Sequence, residues 1–505
     1  MTLLDFTAWS NRAGNTIALL AGAAMPLAFA PFNYYPIALL SVSLLFLTWQ
    51  GIDEKQAAIR GFLFGFGLFG IGVSWVYVAI HEFGQASMLL ASLLTVLFVA
   101  FFAFYIAALG WGIKKITVRG NFTAIDYVLL LPLAWLFFEW FKGWFLTGFP
   151  WLELGVSQIE GPLSGYTPVV GALGVSLIAA VSAGLLASFW QFRDIKFLLV
   201  IAFIWISGSA LNTIEWTYES DHPISVSVIQ GNVPQNIKWD SEQVLKTLLL
   251  YQTKTEEQWQ SDLIVWPENA ATVFYHQAKT AFFDPLGAAA RENNTDILLG
   301  LPLYDDDGIR YYNGMMSLGT EIGFYHKRHL VPFGDYVPFE WLRGLIAFFD
   351  LPMSSFYPGE SEQVLLSAAG QKIGISVCYE DAFSSEVLDT VPEASILVNA
   401  TNNAWYGDSL APHQHLQISQ NRALETGRPV IRATTNGISA LIDYRGKLQA
   451  TTTQFELAVL TGKIGPRQGM TFYVQWNHWP LLILALFMLL VWAYYRKNDL
   501  NKQGG

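Results

Sequence analysis

Between residues 15 and 211 the chain repeats a single pattern, in which a long apolar run is followed by a short polar break and then another apolar run. Seven runs are read there, over 15–30, 35–50, 61–80, 87–108, 127–141, 166–190 and 196–211, and an eighth covers 479–495 near the end of the chain. A helix needs about 20 residues to cross about 30 Å of hydrocarbon, so the shorter runs sit at the lower limit for a span. The basic residues follow a second pattern. Arg12, Lys55, Arg60, Lys114, Lys115, Arg119, Arg193, Lys196, Arg496, Lys497 and Lys502 fall in every second break. The breaks at 31–34 and 81–86 hold no Lys or Arg, and the loop after the fifth run holds only Lys142. Cytoplasmic loops retain positive charge, so this alternation predicts seven spans with the N-terminus inside, residues 213–474 outside, and a last span returning the tail to the cytoplasm.

Composition supports the same division. The chain is 53% hydrophobic and only 14% charged, too apolar for a soluble enzyme of 505 residues. A net charge of −11 argues against a nucleic-acid surface, which needs clustered Lys and Arg. The first run could be taken for a cleaved signal peptide, because "AFA" at 28–30 resembles a cleavage site. Its basic region is thin, however, and Pro31 follows directly, so the run is read as a retained span. Glu139, in the fifth run, costs about 2.5–3.5 kcal/mol at a bilayer centre. The Trp-rich stretch after it places this carboxylate at the outer interface.

From about residue 213 to 474 the pattern changes. Runs such as "ISVSVIQGNV", "SDLIVWPEN", "TDILLGLPLY", "KIGISVC" and "EASILVNAT" are short and rich in Val, Ile and Leu, as expected of strands buried on both faces. "SEQVLKTLLLYQTKTEEQW" and "HQHLQISQNRALETG" read as helices between them. The expected organisation is therefore a multi-span helical membrane domain (1–212), an α/β extracytoplasmic domain (213–474), and a final span with a cytoplasmic tail (475–505). Ligands in layered α/β folds gather at the C-terminal ends of strands. Glu268 follows "LIVW", and Cys378 ends "IGISV". Cys378 is also the only cysteine, which excludes an internal disulfide and a cysteine-based zinc cluster. His413 and His415 lack a third ligand nearby, so no metal is expected, and nothing in the sequence calls for a cofactor.

"VWPEN" with Glu268, "FYHKRHLVPFGDYVP" with Lys327 and "GISVCYED" with Cys378 resemble the three signatures of the nitrilase superfamily. "QGNVPQNIKWD", "NNAWYGDS", "ALETGRPVIRATTNG" and the seven-plus-one layout narrow the resemblance to the apolipoprotein N-acyltransferase family. The resemblance implies an αββα sandwich carrying a Glu–Lys–Cys triad. Cys378 would be the nucleophile and Glu268 the general base, and Lys327 would donate to the oxyanion with the backbone N–H of Tyr379. Glu380 and Asp335 are expected to orient Lys327 or the incoming amine. The family's motif usually ends "PFGE", so Asp335 is a carboxylate on a shorter arm and its reach is in question. Trp239, Tyr379 and Trp151 are weaker candidates for lining a substrate pocket.

The implied reaction moves an acyl chain from a membrane phospholipid, expected to be phosphatidylethanolamine, to the α-amine of a diacylglyceryl-cysteine on an apolipoprotein. A cysteine thioester lies between the two halves of the reaction. The implied setting is the bacterial inner membrane, with a monomeric enzyme whose catalytic domain is periplasmic. Drawing a chain of about 16 carbons into water at about 0.8 kcal/mol per CH₂ would cost more than 10 kcal/mol, which gives the membrane domain a purpose. The apolar insertion "WLRGLIAFFDLPMSSFYPG" (341–359), with Phe348 and Phe349, is expected to act as a lid dipping into the outer leaflet. Two rival readings are a membrane-anchored amidase acting on a small amide, and a non-catalytic transporter or scaffold that binds a ligand outside the membrane.

Overall fold

The computed structural model describes residues 10–117, 121–305, 307–338 and 355–504. Phe348 and Phe349, and most of the expected lid, lie outside the described residues. The chain forms two compact units. One comprises residues 1–77, 89–214 and 475–505, and the other comprises 78–88 and 215–474. The short segment 78–88 between the third and fourth apolar runs therefore belongs to the second unit, which the sequence did not indicate.

All eight apolar runs contain helix. The principal helices of the first unit are Asn11–Ala24, Pro36–Thr48, Glu54–Gly72, Met88–Ile116, Leu131–Lys142, Thr167–Phe192, Lys196–Leu211 and Trp479–Gly504. Among the described residues, Met88–Ile116, Pro162–Phe192 and Trp479–Asn498 are each long and apolar enough to cross a membrane, and the bent pair Glu54–Gly72 plus Val76–Phe83 makes up to four. Pro36–Thr48 and Lys196–Leu211 are shorter apolar helices. Small residues let the helix backbones approach closely. A Cβ at Gly22 would lie 2.0 Å from the carbonyl oxygen of Phe64, so a larger residue there would force two helices apart.

Buried charges fasten this unit. Asp126 accepts from the Trp492 indole at 2.8 Å and from the amide and hydroxyl of Thr123, both at 2.8 Å. Glu139 is buried inside the unit. Its Oε1 accepts from the Trp135 indole at 2.9 Å and from the Leu154 amide at 2.7 Å, which ties down the loop after its helix. Lys142 donates to the carbonyls of Phe149 and Trp151 in the same loop.

The second unit holds two six-stranded sheets. One runs Ala458–Ile464, Ile224–Gln230, Leu263–Val265, Asp296–Tyr304, Tyr311–Leu318, Gly323–His326. The other runs Leu448–Thr451, Ala440–Ile442, Val430–Thr434, Ile396–Thr401, Gln371–Val377, Leu366–Ala368. Each has three adjacent parallel strands flanked by antiparallel ones. Side chains alternate between faces with period two, and the sequence follows that alternation. Val226, Val228, Leu263 and Val265 from one sheet pack against Ile373, Ile375, Val377, Ile396 and Val398 from the other. Ile229, Ile264 and Trp266 point to the opposite face, against Leu248 and Tyr251 of helix Ser241–Glu256 and Leu286 of helix Asp284–Glu292. Leu397, Val430 and Ile442 likewise face Leu416 and Ala423 of helix Ala411–Thr426. The layers are therefore helix, sheet, sheet, helix. The αββα sandwich expected from the resemblance is the fold of this unit.

Candidate active site

Three strand exits build the site. Glu268 lies on a turn just beyond Leu263–Val265, and Lys327 follows Gly323–His326, both in one sheet. Cys378 follows Gln371–Val377 in the other sheet, at the start of a 3₁₀ turn over Cys378–Ala382. Sheet-on-sheet packing thus brings residues more than 50 positions apart to one edge of the sandwich. No helix starts at Glu268, which is held instead by side-chain and backbone donors.

Glu268 is buried, and both of its carboxylate oxygens are engaged. Oε1 accepts from Asn313 Nδ2 at 2.6 Å and lies 3.5 Å from Lys327 Nζ, while Oε2 accepts from the Asn402 amide at 2.8 Å. The Glu268 main-chain carbonyl accepts from Lys238 Nζ at 3.1 Å. Lys327 Nζ in turn lies 2.7 Å from Asp335 Oδ2, which also accepts from the Val331 amide at 2.8 Å. The shorter arm of Asp335 therefore reaches Lys327. Burial works against the Lys327 ammonium, but Asp335, Glu268 and Cys378 hold its pKa well above the ordinary lysine range.

Cys378 has φ +54°, a left-handed backbone that side-chain-bearing residues seldom adopt and that marks functional turns. Its carbonyl is pinned by Asn399 Nδ2 and His415 Nε2, each at 3.1 Å. Behind them, His415 meets Asp381 at 2.8 Å, and Arg432 bonds Asn399, Ser419 and Asn403, so a buried polar network braces the strained turn. His415 thus supports the main chain, and His413 faces Gln454. Burial pushes the Cys378 thiol up to about 12, Glu268 adds to this, Lys327 and Thr401 oppose it, and Asp335 adds the least. The resting sulfur is a neutral thiol.

Glu380 does not bond Lys327. Its Oε2 accepts from the Val377 amide at 2.6 Å, its Oε1 accepts from the Arg328 and His329 amides at 2.5 and 3.2 Å, and the Tyr325 hydroxyl donates to both oxygens. These amides adjoin Lys327 on one side and Cys378 on the other, so one carboxylate fixes the spacing between the two residues. Burial pushes its pKa up to about 7. Tyr379 is half-buried, with its ring edge-on to Phe383 at 5.0 Å. Trp239 is half-buried on the turn that carries Lys238. Trp151 is a buried residue of the helical unit, packed on Trp75 at 5.5 Å.

Asn313, Asn402, Lys238 and the His415–Asp381–Arg432 network were not singled out as site residues from the sequence. Lys238 and Asn402 do lie inside the quoted motifs "QGNVPQNIKWD" and "NNAWYGDS". Asn313 could be found only through strand pairing, because it sits on an antiparallel strand two places from the Glu268 strand.

Comparison with known proteins adds the following. Residues 21–185 match the family described as apolipoprotein N-acyltransferase N-terminal domain, and residues 225–468 match carbon-nitrogen hydrolase. The chain is 43% identical to the apolipoprotein N-acyltransferase of Methylococcus capsulatus, covering 97% of both chains. It is 42% identical to that of Pseudomonas aeruginosa, covering 96% of this chain and 97% of the relative. A solved carbon-nitrogen hydrolase from Helicobacter pylori G27 is 16% identical, covering 55% of this chain and 98% of that one, with a TM-score of 0.38.

Proposed function

Because the chain belongs to the apolipoprotein N-acyltransferase family, we propose that it transfers a fatty acyl chain from a membrane phospholipid to a lipoprotein N-terminus through a thioester on Cys378. The enzyme is an N-acyltransferase, and its helical half makes it an inner-membrane protein. The observation that carries the thioester is the convergence on Cys378. Glu268 and Lys327 lie within electrostatic range of its sulfur, and Lys327 Nζ is 3.5 Å from Glu268 Oε1.

In the first half-reaction the Cys378 proton passes to Glu268 as sulfur attacks the ester carbonyl. The Lys327 ammonium and the Tyr379 N–H donate to the oxyanion, a contribution whose loss typically costs about 10²–10³ in rate. Glu268 returns the proton to the departing lysophospholipid alkoxide, leaving the thioester. In the second half-reaction the α-amine of a diacylglyceryl-cysteine attacks the thioester. Glu268 takes the amine proton and returns it to the departing sulfur. Conversion of thioester to amide is downhill and needs no ATP. Alternation of basic loops supports a periplasmic catalytic unit with both termini cytoplasmic. Phosphatidylethanolamine is the proposed donor and a monomer the proposed state.

The test is intact-protein mass spectrometry after incubation with phosphatidylethanolamine alone. A fatty-acyl adduct on the wild-type chain, lost in Cys378→Ala, is expected. Acyl transfer that proceeds at the wild-type rate in Cys378→Ala would overturn the reading.

A further inference from the structure

The centre contains a second buried amine that the Glu–Lys–Cys scheme leaves unused. Lys238 is 1% exposed, on the turn after strand Ile224–Gln230. Among the described residues its one hydrogen bond is to the Glu268 main-chain carbonyl, at 3.1 Å. Both the Glu268 carboxylate and the Cys378 sulfur lie within its electrostatic range. A buried amine that gives only one of its three N–H groups to the protein is an expensive arrangement unless its charge is needed.

Counting charge shows what it does. Two carboxylates, Glu268 and Asp335, share the single ammonium of Lys327, at 3.5 and 2.7 Å. Those three groups alone sum to one negative charge, in a site where nearly every group is buried. Tyr406, also within range of Cys378, Lys327, Glu268 and Asp335, is neutral because burial raises its hydroxyl further. Moving the thiol proton to Glu268 leaves the sum unchanged, so these groups carry one uncompensated negative charge both at rest and with the oxyanion formed. With Lys238 counted, the four groups Glu268, Asp335, Lys327 and Lys238 sum to zero at rest and keep that sum when the proton moves; Arg432 is offset by Asp381, and Glu380 lies against its own set of amides.

We propose that Lys238 is the second cation of this centre, a positioning residue that fixes the Glu268 turn through its carbonyl and balances the charge that Asp335 adds. Burial lowers its pKa to about 8, opposed by Glu268 and Cys378, so the amine carries its charge at neutral pH. The inference rests on Cys378 as the reacting sulfur, but its test does not require acyl transfer.

That test is the rate of Cys378 alkylation by iodoacetamide against pH, on the full chain in detergent, read by intact mass. Lys238→Gln removes the charge and keeps a donor for the Glu268 carbonyl. Removing one nearby charge moves a buried pKa by about one unit or more. Alkylation of Lys238→Gln at pH 7, where Lys238 still carries its charge, should therefore fall by up to about tenfold, while Lys238→Arg should stay near the wild type. The double variant Lys238→Gln with Asp335→Asn restores the charge sum and should return toward the wild-type profile, and Lys238→Arg, which keeps the charge on a different side chain, is the arm that a merely structural lysine would not rescue. If Lys238→Gln does not fold, Lys238→Met and its double with Asp335→Asn serve the same comparison. A wild-type profile in the folded single variant, or a double variant no faster than the single, overturns the proposal. Failure of the thioester itself would show separately, as absence of the acyl adduct in a wild-type chain that alkylates normally.

Discussion

Asp335→Asn should move two rates in opposite directions. Asp335 Oδ2 accepts from both Lys327 Nζ (2.7 Å) and the Val331 amide (2.8 Å). An asparagine carbonyl oxygen in that position keeps both hydrogen bonds and loses only the charge. Lys327 then has one carboxylate left, Glu268 at 3.5 Å, and is drawn toward the base and away from the developing oxyanion. Complete loss of an oxyanion donor costs about 10²–10³, so a displaced donor should slow Cys378 acylation by about 10–100-fold. The thiol responds the other way. Asp335 is the weakest of the named influences that raise Cys378, so its removal should lower the thiol pKa by about one unit at most, at the low end for a nearby charge. Iodoacetamide should then alkylate Cys378 up to about tenfold faster at pH 8. The assays are single-turnover acylation by phosphatidylethanolamine and alkylation, both read by intact mass on the same preparation. Unchanged acylation, or slower alkylation, would refute the view that Asp335 acts through its charge on Lys327.

The remaining predictions concern the supports of the site. Glu380→Ala strips the acceptor from three amides and the Tyr325 hydroxyl. At about 1–3 kcal/mol per orphaned donor, partly offset by removing a buried carboxylate, the unfolding midpoint in detergent should drop by several degrees. The folded Glu380 pKa is raised from 4.5 to about 7, so the unfolded chain loses this proton first as pH rises. Its contribution to stability therefore declines from about pH 4.5 to about pH 7, by up to about 1.4 kcal/mol per pH unit. That slope should disappear from thermal shifts of Glu380→Ala. His415→Ala should slow acylation about tenfold by loosening the Cys378 turn. Burial and then Arg432 push the His415 pKa down, so the lost group is neutral and the alkylation pH profile should not move.

Much of this was legible in the sequence because the relevant signals are local. Short runs rich in Val, Ile and Leu locate the strands that precede Glu268 and Cys378, and the motifs supply Lys327, Asp335 and Glu380. What each carboxylate does was less visible. The sequence marks Glu380 as a carboxylate that orients Lys327 or the incoming amine; its hydrogen bonds go to amides on both sides of the site, and an amide donor leaves no trace in residue identity. The support of Glu268 by Asn313 and Asn402 spans 45 and 134 positions and follows from strand order, not from spacing. Hydropathy assigns a cost to the lone carboxylate of Glu139. Folding removes much of that cost with the Trp135 indole and the Leu154 amide.

The neutral thiol bears on how such a centre is timed. With its pKa near 12, about one part in 10⁵ of Cys378 is thiolate at pH 7. Thiolate is the form that oxidants and stray electrophiles attack, so the neutral resting sulfur is protected from them. In the proposed scheme reaction then depends on Glu268 removing the proton as the carbonyl arrives, and donors on both oxygens hold Glu268 in place. The site's stabilisation is therefore arranged around the oxyanion rather than around a resting anion. A charge that appears only during reaction gains most from an ammonium already in position, because no solvent has to reorganise. Lys327, clamped by Asp335 and spaced from Cys378 by Glu380, meets that requirement.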